Sequence, residues 1–205
     1  MQSKQEIQET ARVIISFTNS YTYNKERKQI EKSESDTTSS LTDIASALQS
    51  LINQIQDNNS SKSVINTPNL LLSLTSLTSF QIGIHISQEE DQLRFTVRSR
   101  SRLYLWLIQY YGDAQNQSEL VNQGYGRVLS ISVSTAGGVG EEQDKECSIR
   151  LNRIYQFFKD LNQGRNYRKP SFQPLPLLTR VSLEQIEEEG ANEEIDTQMN
   201  TKGLS

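Results

Sequence analysis

The sequence has few of the residues that build metal sites and redox sites. It contains one cysteine, Cys147, and one histidine, His85, among 205 residues. A single cysteine excludes an intrachain disulfide, and a structural zinc site needs about four nitrogen or sulfur ligands from the chain. We therefore expect no metal and no other cofactor.

Long apolar stretches and nucleotide-binding motifs are also missing. No apolar run approaches the roughly 18 residues that span a bilayer, and the opening MQSKQEIQET is too polar for a secretory signal. The glycine-rich stretch 136–143 lacks the lysine of a phosphate-binding loop, and its Glu141 and Glu142 would repel phosphate. We expect an intracellular protein (cytoplasm or nucleus) with no integral membrane segment. No small-molecule substrate is evident, and we interpret the chain as non-enzymatic.

Hydrophobic residues are scarce at 34%, and Ser, Thr, Asn and Gln make up over a third of the chain. This composition favours one modest core with polar, partly disordered linkers, which we place at 33–40 and 57–69. The sequence predicts a helical N-terminal region at 1–66, an α+β core at 67–163, and a proline-containing arm, helix and acidic tail at 164–205.

Helical spacing of apolar residues recurs along the chain. It predicts helices over 5–24, 41–56, 70–80, 143–162 and 177–189. Gly164 stands where a glycine would end the fourth of these helices.

Between residues 80 and 134 the apolar period changes from helical to alternating. Apolar residues alternate with polar ones at 82–86, 93–97 and 127–133, and 102–111 is nearly continuously apolar. These patterns predict an α+β fold, with a small antiparallel sheet of about four strands (roughly 80–134) flanked by amphipathic helices.

A rival interpretation concerns the start of the second strand. Ser87 and Glu90 have the spacing of a capping box, which would begin a helix instead. The run 102–111 also suits a buried helix. We favour the hairpin, because two adjacent runs alternate and both contain β-branched residues.

Four arginines are the first candidate functional feature. Arg94, Arg98, Arg100 and Arg102 alternate along the predicted second strand and its exit, with no acidic residue between them. Aligned guanidinium groups attract phosphates or acidic segments, so we consider a nucleic acid or an acidic protein partner. The other interpretation is the solvated face of an edge strand. The seven acids within 184–196 are an internal candidate for the same face.

The helix at 41–56 carries a continuous apolar stripe. Its candidate residues are Leu41, Ile44, Leu48, Leu51, Ile52 and Ile55. Such a stripe packs either on the chain's own core, which we favour, or on a partner helix or a second copy.

A proline-containing arm precedes the last predicted helix. Its anchors would be Phe172, Leu175 and Leu177, docked as an extended segment on a partner. The alternative is an arm that only wraps its own domain. Taken together, these surfaces predict a structural or protein-interaction subunit of a larger assembly. The alternative function is a nucleic-acid-associated protein that uses the arginine face.

Overall fold

The computed structural model describes residues 2–26, 34–58, 67, 69–134, 141–168 and 170–190. Within these residues the chain is mainly helical. The helices are α1 (Gln2–Glu26), α2 (Glu34–Asn58), α3 (Leu70–Leu77), α4 (Gln88–Tyr111), α5 (Ala114–Asn122), α6 (Tyr125–Ser134), α7 (Glu141–Gln163) and α8 (Pro176–Glu188).

The chain divides into two compact units, Met1–Tyr110 and Tyr111–Ser205. This boundary falls inside the region 67–163 that the sequence suggested as a single core. In the first unit, α1 packs against α2 and α3. The aromatic ring of Phe80 lies against Tyr21 and Phe17 of α1, with ring centroids 4.7 and 5.6 Å apart. Buried core residues of this unit include Ile7, Ile14, Leu48, Leu51, Leu74, Val97 and Ile108.

The second unit is arranged around α6. This helix packs against α5, α7 and α8, and α8 also contacts α5 and α7. Tyr125 at the start of α6 meets Phe157 of α7 edge to face, with ring centroids 5.2 Å apart. The buried core includes Leu120, Tyr125, Val128, Leu151, Phe157, Leu161 and Ile186.

The predicted α+β fold with its four-stranded sheet is wrong. The described residues form no strand, and β pairing among them is limited to an isolated antiparallel bridge between Arg165 and Phe172. The first predicted strand, 82–86, is a loop between α3 and α4. Its alternating Ile82, Ile84 and Ile86 are all exposed, so their alternation does not mark a buried sheet face.

The second and third predicted strands, 93–97 and 102–111, lie in the single helix α4. The buried face of α4 includes Glu90, Arg94 and Ser101, so a pattern built from apolar residues alone hides its helical period. The rival capping interpretation was right at this point. The Glu90 amide donates to Ser87 Oγ at 3.2 Å, which satisfies a free donor of the first helical turn.

The fourth predicted strand, 127–133, lies in α6. Ser130 and Ser132 are buried on this helix beside Val128 and Leu129. Ser132 Oγ donates to the Leu129 carbonyl oxygen at 2.7 Å, so its hydroxyl is satisfied within the helix. Small polar residues on the inner face therefore produced a pattern that resembled a strand.

The five helices expected from apolar spacing are confirmed, and Gly164 follows α7 with a φ of +75°. The linker predicted at 33–40 is wrong from residue 34 onward, because α2 begins at Glu34. Most of the predicted loop 57–69 and the acidic tail beyond residue 190 lie outside the described residues.

We expect Gly126→Ala to destabilise the protein. A Cβ at this position would lie 2.7 Å from the Ser182 carbonyl oxygen and 2.8 Å from Gln185 Oε1, so α6 and α8 would have to separate. The expected loss is about 1–3 kcal/mol in the free energy of unfolding measured with urea, as for other overpacked sites. Helix propensity alone favours alanine over glycine by about 0.5–1 kcal/mol. The sign of the measured change in the free energy of unfolding therefore distinguishes a steric clash from a gain in helix propensity.

The control for this experiment is Ser16→Ala, on the exposed side of α1. Surface substitutions of this kind change stability by less than about 0.5 kcal/mol. An unchanged or increased stability of Gly126→Ala would show that the two helices do not need this close approach.

Candidate protein-binding surface

Three of the four arginines line up along α4, but they face the protein. Arg94, Arg98 and Arg102 lie at i, i+4 and i+8, and we call them the arginine ladder. Arg94 donates to the Ile84 carbonyl oxygen at 3.3 Å, and Arg98 donates to that of Phe80 at 3.0 Å. Arg102 donates to the Thr78 carbonyl oxygen at 2.9 Å. The structure thus directs these guanidinium groups to the backbone between α3 and α4.

The fourth arginine, Arg100, points elsewhere. Its Nη1 donates to the Ala45 carbonyl oxygen of α2 at 2.6 Å. The four arginines therefore do not form the continuous row of guanidinium groups that a strand would have made.

The ladder begins with a buried ion pair. Arg94 Nη2 lies 2.5 Å from Glu90 Oε2, and these side chains are 1% and 2% exposed. Arg94 also lies 3.4 Å from Asp91 Oδ1. Burial, together with repulsion from Arg94, lowers the pKa of Arg98 from its ordinary value. The carboxylates of Glu90 and Asp91 balance the positive charge of Arg94.

The six residues of the α2 stripe lie in the core of the first unit. All six, Leu41, Ile44, Leu48, Leu51, Ile52 and Ile55, are at most 2% exposed. Helix α2 packs against α1, so the chain itself covers this stripe. These side chains are not accessible to a partner helix in this structure.

The proline-containing arm folds back onto its own unit over most of its length. Phe172 is buried, and its ring lies 4.6 Å from the Arg165 guanidinium. The Leu175 amide donates to the Leu161 carbonyl oxygen of α7 at 2.7 Å. Leu177 differs from the other two anchors, because 78% of it is exposed.

Leu177 is the second residue of α8, whose inner face combines polar contacts with one buried isoleucine. The residues that α8 buries are Thr179, Ser182 and Ile186. Gln185 Nε2 donates to the Val121 carbonyl oxygen at 2.8 Å, and Gln185 Oε1 accepts from the Gly126 amide at 3.0 Å. Two helices are therefore joined to α8 through one amide side chain.

The opposite side of α8 is apolar over its first two turns. Leu177 and Val181 lie one turn apart and are 78% and 38% exposed, and we call them the outer apolar face. Leu183, 44% exposed, lies on the flank of the helix. A helix packed on a protein usually turns its apolar residues inward. Helix α8 instead keeps hydroxyl groups inside and leaves leucine and valine in water.

The second half of α8 is acidic. Glu184, Glu187, Glu188 and Glu189 form what we call the acidic end. Glu188 lies 2.5 Å from Arg127 of α6, and this hydrogen bond raises the pKa of Arg127 above its ordinary value. Glu184 pairs with Arg180 one turn before it, at 2.9 Å. The sequence revealed the acids but not that they continue the outer apolar face.

A second buried carboxylate, Asp160, was missed by the sequence analysis. Its oxygens accept from Gln156, Tyr167 and Arg168 at 2.8, 2.7 and 3.3 Å, and Asp160 is 0% exposed. Burial and the hydrogen bond to Asp160 raise the pKa of Tyr167. This cluster joins α7 to the arm that follows it. A single polar residue at a helical position carries no local sequence signal for such a contact.

The loop between α3 and α4 exposes a second group of apolar residues. Ile82, Ile84 and Ile86 project from it, and His85 Nδ1 lies 3.2 Å from Asp91 Oδ2. Six residues line an open depression of about 460 Å³ beside it: His85, Ile86, Ser87, Gln88, Asp91 and Gln92. The three isoleucines sit on a turn and not along a helix, so the outer apolar face of α8 is the more regular of the two surfaces.

We expect Glu90→Gln to lower stability strongly, because it leaves the buried Arg94 with only the more distant and partly exposed carboxylate of Asp91 as a countercharge. The expected loss in the free energy of unfolding is about 3–5 kcal/mol. The matched control is Glu184→Gln, which removes one partner of an exposed pair with the same i, i+4 spacing and should cost at most about 1 kcal/mol. Similar losses for the two variants in chemical denaturation would contradict a structural role for the buried pair.

Within the described part of the chain, no three residues among His, Cys, Asp and Glu are placed to hold a metal ion. No described helix has both the length and the apolar character that crossing a bilayer requires. Comparisons with protein-family models, with curated proteins and with solved structures found no match for this chain.

Proposed function

We propose that this protein is a non-enzymatic interaction subunit of an intracellular assembly, and that it binds a protein partner through the outer apolar face of α8. The observation that carries the proposal is the reversed polarity of this helix. Thr179 and Ser182 are buried, whereas Leu177 and Val181 are exposed. Covering apolar surface yields about 25 cal/mol per Å², so a partner that covers these side chains gains affinity.

The way α8 is attached supports this proposal. Its contacts through Gln185 and Arg127, its close approach to Gly126 and the burial of Ile186 hold the helix without Leu177 and Val181. Leu177 and Val181 are therefore not needed to keep α8 in place. Side chains that are rigidly presented and not used for folding are typical of a binding surface, since less conformational entropy is lost on association.

The alternative function, nucleic-acid binding through the arginines, has less support from the geometry. The guanidinium groups of the ladder donate to backbone carbonyl oxygens, and Arg94 is balanced by Glu90. A phosphate would have to compete with these contacts. We therefore do not propose nucleic-acid binding for this surface.

The test is affinity capture with the full-length chain in an extract of its own cells. We expect the combined Leu177→Gln and Val181→Gln variant to lose at least one captured protein about tenfold or more, as measured by quantitative mass spectrometry. A tenfold loss corresponds to about 1.4 kcal/mol of binding free energy, within the range for a truncated anchor residue.

The matched control is Val13→Gln, an exposed apolar position of similar accessibility on α1. Circular dichroism should show both variants folded with unchanged melting temperatures. If the captured proteins are the same for wild type and the α8 variant, the outer apolar face is not the binding surface and the proposal fails.

A further inference from the structure

The exposed side of α8 changes from apolar to acidic along its length. Leu177, Val181, Glu184 and Glu188 lie at i, i+4, i+7 and i+11, so they share one side of the helix. With a rise of 1.5 Å per residue, Leu177 and Glu188 are about 16 Å apart along the axis. A partner that lies along α8 therefore contacts an apolar surface at one end and an acidic surface at the other.

From this gradient we infer that the partner contributes a basic amphipathic helix. Its aliphatic side chains cover Leu177 and Val181, and its Lys or Arg side chains lie against the acidic end. This inference rests on the proposed function and specifies the partner's chemistry. On a helix that runs parallel to α8, the basic residues would follow the aliphatic ones by about two turns, and on an antiparallel helix they would precede them by the same distance.

Charge complementarity carries the inference. The acidic end supplies four carboxylates, and the cations paired with it among the described residues are Arg127 and Arg180. The last turn of α8 contains no basic residue. A helix carries partial negative charge at its C-terminus, which repels the acids there, and Arg127 offsets only part of this repulsion. A basic partner relieves this repulsion.

The same charges disfavour other occupants. Phosphates of nucleic acids and of anionic membranes are repelled by the acidic end. The chain's own residues 191–205 carry Glu193, Glu194 and Asp196, which are repelled in the same way. In a symmetric pair of copies, antiparallel α8 helices would place each acidic end on the other copy's apolar residues, and parallel helices would bring the acids together.

The test uses two fluorescent helical peptides and the full-length chain. Both peptides have an alanine and glutamine background with leucines one turn apart. The first peptide has lysines on the same helical face as the leucines, two turns further along the sequence. The second peptide has glutamates at those positions. We expect fluorescence anisotropy at low salt to show at least tenfold tighter binding of the lysine peptide, and weakening of that binding as salt is added.

Two variants of the protein complete the experiment. Leu177→Gln should weaken binding of the lysine peptide by at least fivefold. Glu184→Lys combined with Glu187→Lys should remove the preference for lysine or reverse it. Both glutamates are exposed, so a reversal reports on recognition and not on folding. A gain in binding by the glutamate peptide would be the strongest support, since a damaged surface cannot produce it.

Three results would overturn the inference: equal binding of the two peptides, a lysine preference unchanged by the Lys substitutions, or no binding of either peptide. A dimer in light scattering that Leu177→Gln dissociates would also overturn it, because the occupant would then be a second copy. The capture experiment separates the two proposals. If capture of a protein still depends on Leu177 and Val181 while neither peptide binds, the proposed binding surface is supported and only the proposed charge of the partner is wrong.

Discussion

The buried contact between Arg94 and Glu90 is the interaction on which the first unit depends. Removing two charges from water costs several kcal/mol per ion, which is repaid only when the geometry is good and the remaining donors are satisfied. Here Arg94 also donates to the Ile84 carbonyl oxygen, and Glu90 accepts from Thr38 of α2 at 3.4 Å, whereas the buried Arg94 Nε has no hydrogen-bond partner among the described residues. One ion pair therefore ties the beginning of α4 to the loop before it and to α2.

The second unit uses the same kind of contact with other residues. Asp160 is fully buried and is surrounded by donors from Gln156, Tyr167 and Arg168. Arg165 is buried beside it and donates to the Gly112 carbonyl oxygen. In a chain with only 34% hydrophobic residues, these polar clusters join elements that a small apolar core would leave poorly connected. Such contacts restrict which arrangement of helices is possible, because a misplaced partner leaves a buried charge unpaired.

Except for α8, the helices that the sequence predicted have mainly apolar inner faces. The stripe of α2 repeats leucine and isoleucine at helical spacing, and all six of its residues proved to be buried. Helices α4 and α6 were mistaken for strands because their inner faces include polar residues such as Arg94 and Ser132, which a search for apolar periodicity does not count as buried. Leu177 was singled out as an anchor, yet its exposure was not predictable. It follows from the contacts of Gly126 and Gln185, which join residues about 60 positions apart along the chain.

The arginine ladder also has a consequence for the order in which the first unit acquires structure. Its three carbonyl partners lie 10, 18 and 24 residues before their arginines, whereas the partner of Arg100 lies 55 residues away. Contacts close in sequence close small loops, lose little chain entropy and form early. The segment from Thr78 to Arg102 is therefore expected to acquire its local hydrogen bonds first, and the longer-range contact of Arg100 with α2 is expected to form after them.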